Sequence, residues 1–292
     1  MKWLFGLAVA AVCVGVVAPG LPAHAQGGKL DTVGHAGGQR GAIAANGRVL
    51  ARGVGAAVEL HAAGARSPAL GTVLLGAMVH DIALASTRAY MATDGGLEVL
   101  DISDAAHPRQ IASLPLDGAM AVAVRGPVAY VAIKAGTLAV VDVSDPLHPQ
   151  PHSAKQRRSA SFDRPLAIRL AGPRLYILDA GFGVRQYDLA DPLDPVERDT
   201  VAAEQPLDPE APALLAADGE RAVARDGDRL RLLDFTDPMD PRNEDLIGPE
   251  REVGRVAAMR GKRVVVAGME ELWVMDVSRP NHSRVLGTTE LT

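Results

Sequence analysis

Short apolar runs broken by polar turns recur along the chain, and one stretch shows the pattern most clearly. Residues 138–149 read LAVVDVSDPLHP, an apolar run that ends at Asp142 and a polar turn that ends at Pro149. Two further apolar runs, 119–124 and 128–133, precede it, and turns that contain glycine separate all three. Runs of this length, rich in Val and bounded by Gly and Pro, predict β-strands. With the segment after Pro149, the unit holds four predicted strands.

The same unit occurs six times at a nearly fixed period. Its aspartate position is filled, in order, by His61, Asp101, Asp142, Asp188, Asp234 and Asp276. The steps between these residues are 40, 41, 46, 46 and 42 residues. Seven residues further on, the first five copies have proline and the sixth has Ser283. Proline ends strand pairing and fixes a turn. A period in this range is typical of a repeat architecture.

The number of strands in each unit predicts the fold. Every copy has short strands and turn residues, and helical periodicity is absent, which predicts an all-β protein. A unit of four strands and about 40 residues matches one propeller blade. We therefore predict a six-bladed β-propeller of four-stranded blades over residues 39–292. The first strand of each unit is rich in Ala and Val, so we expect Ala121, Val122, Ala167 and Ile168 near the central axis.

The repeated sequence resembles the LVIVD repeat family, which is named for an apolar strand that ends in aspartate. The strand appears here as LEVLD (97–101), LAVVD (138–142), LRLLD (230–234) and LWVMD (272–276). The resemblance includes AYMA at 89–92, AYVA at 129–132 and the D-x-S-D-x-x-x-P turn, and it covers residues 40–287. It departs from the family pattern at His61, Arg279 and Ser283. The resemblance implies a β-propeller on exported or surface proteins, with no particular reaction.

The first 25 residues have the features of a signal peptide. Lys2 precedes an almost unbroken apolar run over residues 4–17, and Ala23-His24-Ala25 supplies the small residues of a cleavage site. The run is too short to span a membrane as a helix. We therefore predict an exported mature chain without a transmembrane segment, located in the periplasm, on the cell surface or outside the cell. Cys13 is the single cysteine and lies within the predicted signal peptide.

Between the predicted signal peptide and the propeller lies a glycine-rich lead-in, residues 26–38. Its segment KLDTVG at 29–34 resembles the sequence of an outer strand and is one candidate for closing the ring. The VLGTTEL text at 285–291 is the other candidate. The sequence leaves this choice open.

The net charge of the chain limits the classes of partner that we expect it to bind. The formal net charge is −5, and no long basic run is present, so we do not expect nucleic acid as a partner. A short basic insert at 155–164 is either a solvated loop or a docking loop for an acidic partner, through Lys155, Arg157 and Arg158.

The repeated aspartates and histidines favour a structural interpretation. Each aspartate ends a strand and opens a turn, where a carboxylate caps backbone N–H groups. His107, His148 and His282 share one turn position on separate blades, so they do not converge on a metal ion. His80 and Asp81 open the first strand of the second unit and are candidates for the central channel.

The units differ most in the link from the fourth strand to the next first strand. Measured from the turn proline position, these links vary from 9 to 15 residues. Four units carry an acid just before the first strand, and we predict that these acids form an arc on one face at the channel mouth. The predicted arc consists of Asp117, Asp163, Glu210 and Glu252. It would favour a cation such as Ca²⁺ or a basic segment of a partner.

Two functions follow from these features. The first is an exported binding scaffold that recognises a protein or small ligand with its loop-rich face and needs no cofactor. The alternative is a hydrolase of the six-bladed lactonase or esterase type, with a metal at the channel mouth. The sequence has no G-x-S-x-G elbow, H-E-x-x-H, phosphate loop or dinucleotide fingerprint, which favours the scaffold and leaves enzymatic activity undecided.

Overall fold

In the part of the chain that the structure describes, the strands form six four-stranded sheets and one short pair. The computed structural model describes residues 8–9, 36–37, 42–63, 68–134, 136–152, 164–203, 207, 215–226, 229–237, 241–245, 256–267, 271–278 and 283–290. All regular structure within these ranges is β-strand. The short pair joins β1 (Ala8–Val9) to β2 (Ala36–Gly37).

Each four-stranded sheet is one blade and is built from consecutive strands. Blade 1 contains β3 (Ile43–Ala45), β4 (Val49–Val54), β5 (Ala57–Ala62) and β6 (Gly71–Leu74). Blade 2 contains β7 (Val79–Ala85), β8 (Arg88–Thr93), β9 (Gly96–Asp101) and β10 (Arg109–Pro115). Blade 3 contains β11 (Ala119–Arg125), β12 (Val128–Ile133), β13 (Thr137–Asp142) and β14 (Gln150–Pro151).

The second half of the chain repeats this arrangement. Blade 4 contains β15 (Pro165–Ala171), β16 (Arg174–Asp179), β17 (Gly183–Asp188) and β18 (Val196–Val201). Blade 5 contains β19 (Leu215–Asp218), β20 (Arg221–Asp226), β21 (Arg229–Asp234) and β22 (Arg242–Asp245). Blade 6 contains β23 (Val256–Arg260), β24 (Arg263–Ala267), β25 (Glu271–Asp276) and β26 (Arg284–Glu290).

The blades are antiparallel meanders arranged as a six-bladed β-propeller. In each blade the strands pair in chain order, first with second, second with third and third with fourth. From blade 2 to blade 6, the first strands of successive blades contact each other, so these strands are innermost. The predicted axial residues Ala121, Val122, Ala167 and Ile168 lie in β11 and β15 and are buried. The all-β, six-bladed prediction is confirmed.

Apolar side chains between the blades form the core. Within the described residues, five clusters join each blade to the next, from blades 1 and 2 to blades 5 and 6. Between blades 2 and 3, for example, Leu97 and Val99 pack with Ala129 and Val131. Alternate residues of one strand therefore face opposite neighbouring blades. Burying one such Val or Leu contributes about 1.5–3 kcal/mol, so neighbouring blades stabilise each other.

The first copy of the repeat is aligned one residue differently from the sequence prediction. In blade 2 the second strand begins with Arg88 opposite Asp101, and in blade 1 it begins with Val49 opposite Ala62. Ala62, and not His61, therefore holds the aspartate position of blade 1. Because residues of a strand alternate between faces, the predicted alignment was wrong about the direction of every side chain in this strand.

At the chain ends, the structure describes one of the two candidates for ring closure. Strand β26 pairs with β25 and supplies the outer strand of blade 6 from its own chain segment. The other candidate, residues 29–34, lies outside the described residues, as does most of the predicted signal peptide.

Candidate functional site

The propeller has two faces with different connections. One face carries the links from each fourth strand to the next first strand, together with the turns between second and third strands. We call it the link face. The opposite face carries the hairpins between first and second strands and the aspartate–proline turns, and we call it the turn face. Loops on a rigid scaffold are the usual place for binding residues, so the two faces are described in turn.

On the turn face, the repeated aspartates cap their own turns. Each carboxylate Oδ1 accepts a hydrogen bond from the backbone N–H two residues later. The five bonds run to Asp101 from Ser103 (2.9 Å), to Asp142 from Ser144 (2.8 Å), to Asp188 from Ala190 (2.8 Å), to Asp234 from Thr236 (3.0 Å) and to Asp276 from Ser278 (2.8 Å). These backbone hydrogen bonds hold the pKa of Asp101 and Asp142 below the usual range of a carboxyl. The structural interpretation of the aspartates is confirmed.

Arginines on the neighbouring strand engage three of these carboxylates. The cross-strand pairs are Arg88 with Asp101 (2.8 Å), Arg174 with Asp188 (2.7 Å) and Arg221 with Asp234 (2.9 Å). In blade 3 the residue opposite Asp142 is Val128. The turn carboxylates thus serve the fold of their own blades.

The turn histidines also bond locally. His107 Nδ1 lies 2.8 Å from Asp104 Oδ2, and His148 Nδ1 lies 2.8 Å from Asp145 Oδ2. Both imidazoles are exposed on separate blades, so these two histidines do not converge, as predicted. His282 lies outside the described residues. Within the part of the chain that the structure describes, no group of three or more His, Cys, Asp or Glu residues is placed to hold a metal ion.

Hydrogen bonds on and near the turn face join successive blades. The guanidinium of Arg125 in blade 3 donates to the carbonyl oxygens of Gly172 (2.7 Å) and Leu189 (3.2 Å) in blade 4. The hydroxyl of Tyr176 in blade 4 donates to the carbonyl oxygen of Gly219 in blade 5 (2.8 Å). Burial raises the pKa of Tyr176, so this hydroxyl keeps its proton.

His80 and Asp81 lie side by side in β7 but make different contacts. His80 Nε2 lies 2.7 Å from Asp94 Oδ1, at the link-face end of the strand. Asp81 Oδ2 accepts a hydrogen bond from the backbone N–H of Val122 in β11 (3.0 Å), so it joins the innermost strands of blades 2 and 3. Loss of hydration raises the pKa of Asp81, and the charge of Arg169 on the inner strand of blade 4 partly opposes this shift.

The structure describes only part of the other predicted sites. Asp117 lies exposed on the link face, in the connection between β10 and β11. The other three acids of the predicted arc, Asp163, Glu210 and Glu252, lie outside the described residues, as do Lys155, Arg157 and Arg158 of the predicted docking loop. The arc and the docking loop therefore stay predictions.

The link face also carries an apolar feature that the sequence analysis missed. Val54, Leu74 and Met78 surround the Gly55-Ala56 turn of blade 1, and their exposed fractions are 47%, 77% and 50%. We call these three residues the turn patch, after the Gly55-Ala56 turn that they surround; the patch lies on the link face and not on the turn face. The signal in the sequence was an apolar run, VLL at 73–75, that continues past the end of a predicted strand.

Backbone hydrogen bonds hold the turn patch in place. The N–H of Leu75 donates to the carbonyl oxygen of Ala56 (2.8 Å), and that of Val79 donates to the carbonyl oxygen of Gly55 (2.9 Å). Both ends of the link between β6 and β7 are therefore tied to the turn. Phe182, on the same face of blade 4, is also exposed, and the Arg185 guanidinium carbon lies 5.5 Å from the centre of its ring.

Comparison with known proteins supports the repeat and the fold. The LVIVD repeat family model matches residues 76–114 and 118–151, which span blades 2 and 3. No curated protein matches the chain. Within the ranges that the structure describes, we find no helix with the length and hydropathy needed to cross a bilayer.

Three similar solved structures share the architecture at low identity. The β-propeller domain of Cps50 (Swd1) from Myceliophteria thermophila is 17% identical with a TM-score of 0.55, and the match covers 77% of this chain and 77% of that one. BamB from Moraxella catarrhalis is 12% identical with a TM-score of 0.52, covering 85% and 72%. Hsv2 from Kluyvelomyces marxianus is 9% identical with a TM-score of 0.57, covering 88% and 89%. At these identities the likeness shows the fold alone.

Proposed function

We propose that this chain, a six-bladed propeller that carries LVIVD repeats, is an exported scaffold that binds a partner protein with its link face. The proposal of export depends on Lys2, the apolar run at 4–17 and Ala23-His24-Ala25. The proposal of binding depends on how the two faces use their side chains.

The turn face uses its charged groups internally. Its aspartates cap turns, three of them pair with arginine, and Arg125 and Tyr176 bond to the next blade. A charged group that already has a partner inside the fold contributes less to an interface, because that bond must be exchanged or shared. The turn face is therefore the weaker candidate for recognition.

The single observation that carries the proposal is the exposure of large apolar side chains on the link face. The turn patch places three of them around one turn, and Phe182 adds an aromatic ring on blade 4. Contiguous exposed apolar groups mark protein interaction sites, whereas single ones are ordinary. Among the residues that the structure describes, the other exposed large apolar side chains lie singly, as Leu147 does on the turn face, or in and beside the outer strands.

Co-isolation from the producing cells with matched variants tests this proposal. Leu74→Glu and Phe182→Glu alter the link face, and Leu147→Glu places the same charge on the turn face at a leucine that is 54% exposed. We expect a partner that is retained by the wild type and by Leu147→Glu and is lost from both link-face variants. A partner that only Leu147→Glu loses, or equal recovery from all four proteins, contradicts the proposal.

A further inference from the structure

The turn patch has the geometry of a shallow apolar docking site. Val54 of β4, Ala57 of β5 and Leu74 of β6 are cross-strand neighbours in one row, so their side chains lie on the same side of the sheet. Two strand spacings separate Val54 from Leu74, about 10 Å. Because the side chain of Ala57 is small, it leaves a shallow depression between the larger side chains of Val54 and Leu74.

An acidic side chain borders this patch. The N–H of Asp94 donates to the carbonyl oxygen of Met78 (3.2 Å), which holds the second turn of blade 2 against the link. The Asp94 carboxylate bonds His80 through one oxygen, and its side chain stays 62% exposed. In blade 3 the residue that directly follows the second strand is Lys134, so blade 3 has a basic residue where blade 2 has Asp94.

We propose that the turn patch and Asp94 together dock a basic amphipathic segment of the partner protein, an inference that depends on the proposed function. Apolar side chains of the segment cover Val54, Leu74 and Met78, and a Lys or Arg of the segment pairs with Asp94. Complementary charge is the argument for a basic segment, because the border carboxylate and the net charge of −5 both attract cations.

The same charges argue against a second copy of this chain on the patch. A twofold contact places each surface against itself, so it would bring two Asp94 carboxylates toward each other beside an apolar contact. Burying two like charges together is unfavourable. A second copy of the chain is therefore the less favoured occupant of this site. A measurement of the oligomeric state in solution tests for it.

Peptide titration of the full chain tests the inference. The probe is a synthetic helical peptide of leucine and lysine with one apolar face, and its counterpart has glutamate at every lysine. Fluorescence anisotropy measures the dissociation constant of each. We expect the lysine peptide to bind and the glutamate peptide to bind at least about tenfold more weakly, as expected where charge complementarity contributes.

Variants of the patch then locate the binding. We expect Leu74→Glu with Met78→Glu to weaken lysine-peptide binding by about tenfold or more, and Leu147→Glu to leave it unchanged. Asp94→Asn, at an exposed site where loss of folding is not expected, should weaken it by about threefold and reduce its dependence on salt. Thermal unfolding of each variant checks that the fold is kept.

Three outcomes overturn the inference. They are equal binding of both peptides, full binding by the double variant, and equal loss with Leu147→Glu. A monomer–dimer equilibrium that the double variant abolishes would assign the patch to a second copy instead. If Leu74→Glu and Phe182→Glu both lose the cellular partner while the double variant binds the lysine peptide as tightly as the wild type does, the proposed function stands and the inference fails.

Discussion

Ser86 adopts a backbone conformation that glycine holds in the equivalent turns. The hairpins between first and second strands in blades 3 to 6 begin with Gly126, Gly172, Gly219 and Gly261, all with φ between 56° and 60°. In blade 2 the same position is Ser86, with φ of 54°. A positive φ at the first turn residue alone is the type II′ pattern, which favours glycine there because a Cβ atom is strained.

Replacing this serine is therefore expected to stabilise the protein. Ser86→Gly relieves the strain of about 1–2 kcal/mol and loses part of that gain to the greater freedom of glycine in the unfolded chain. We expect a net gain of about 0.5–1 kcal/mol in the free energy of unfolding, measured by urea denaturation. The reciprocal change Gly126→Ser should lower stability by a similar amount, and a gain from Gly126→Ser would contradict the account.

Asp81 is a residue whose charge the fold disfavours, so the stability of the protein should depend on the titration of its carboxyl. Its pKa is raised in the folded state because the carboxylate loses hydration. The stability that it contributes is therefore fully present below its unfolded pKa and is lost as pH rises through the folded pKa. Asp81→Asn keeps an acceptor for the Val122 N–H and has no charge, so we expect it to be at least as stable as the wild type at pH 7.

The comparison across pH separates charge from hydrogen bonding. The advantage of Asp81→Asn should shrink as the pH falls, because the wild-type carboxyl takes up its proton at a higher pH in the folded state than in the unfolded chain. Asp81→Ala leaves the Val122 N–H without this acceptor and should be about 1–2 kcal/mol less stable than Asp81→Asn at every pH. Denaturant titrations of the three proteins from pH 4 to 7 measure this. If Asp81→Asn were clearly less stable than the wild type at pH 7, attraction to Arg169 would outweigh the loss of hydration.

At the scale of the element, the aspartate–proline turn of blade 2 packs against the outer strand of blade 1. A Cβ atom added at Gly71 of β6 would lie 2.5 Å from the Ala105 carbonyl oxygen, 2.7 Å from that of Ala106 and 2.6 Å from Pro108 Cδ. The turn of blade 2 therefore rests on the outer strand of blade 1, and the strand needs a glycine at the contact.

Gly71→Ala should destabilise the protein by forcing this turn away. We expect a loss of about 1–3 kcal/mol, the usual cost of overpacking. Gly47→Ala is the matched control, because an added Cβ there meets no atom within 4 Å, and we expect a change within about 0.5 kcal/mol. Thermal and urea unfolding measure both variants. If the two variants were equally stable, the turn of blade 2 would move away from residue 71 without a loss of free energy, which would contradict this prediction.

Strands and turn caps were predictable from sequence because their causes are local. Asp142 caps an N–H two residues away, and the apolar run before it is long enough to identify one strand. The alignment of blade 1 was not predictable in the same way, since Ala62 leaves no aspartate to mark the end of β5. The packing at Gly71 depends on a turn more than thirty residues later, and no local pattern reveals it.

At the scale of the whole molecule, the number of blades could be predicted from the six copies of the repeat. The turn patch could not be predicted from the sequence. The turn patch is formed by the ends of two strands, β4 and β6, and by a residue of the link that leads to blade 2, so residues from separate parts of the sequence come together only in the fold. Apolar residues at 73–75 read as part of a buried strand until the fold shows Leu74 exposed. Asp117 lies on the link face as expected for an acid of the arc, and the arc itself remains a prediction.

The central claim is that recognition occurs on the link face, and photo-crosslinking in the producing cells tests it most directly. A photoreactive amino acid is placed in separate variants at Met78 and Asp117 on the link face and at Asp104 and Leu147 on the turn face, all partly or fully exposed positions. The account predicts crosslinks to one partner protein from the link-face positions only. Crosslinks to that partner from the turn-face positions, with none from Met78 or Asp117, would contradict it.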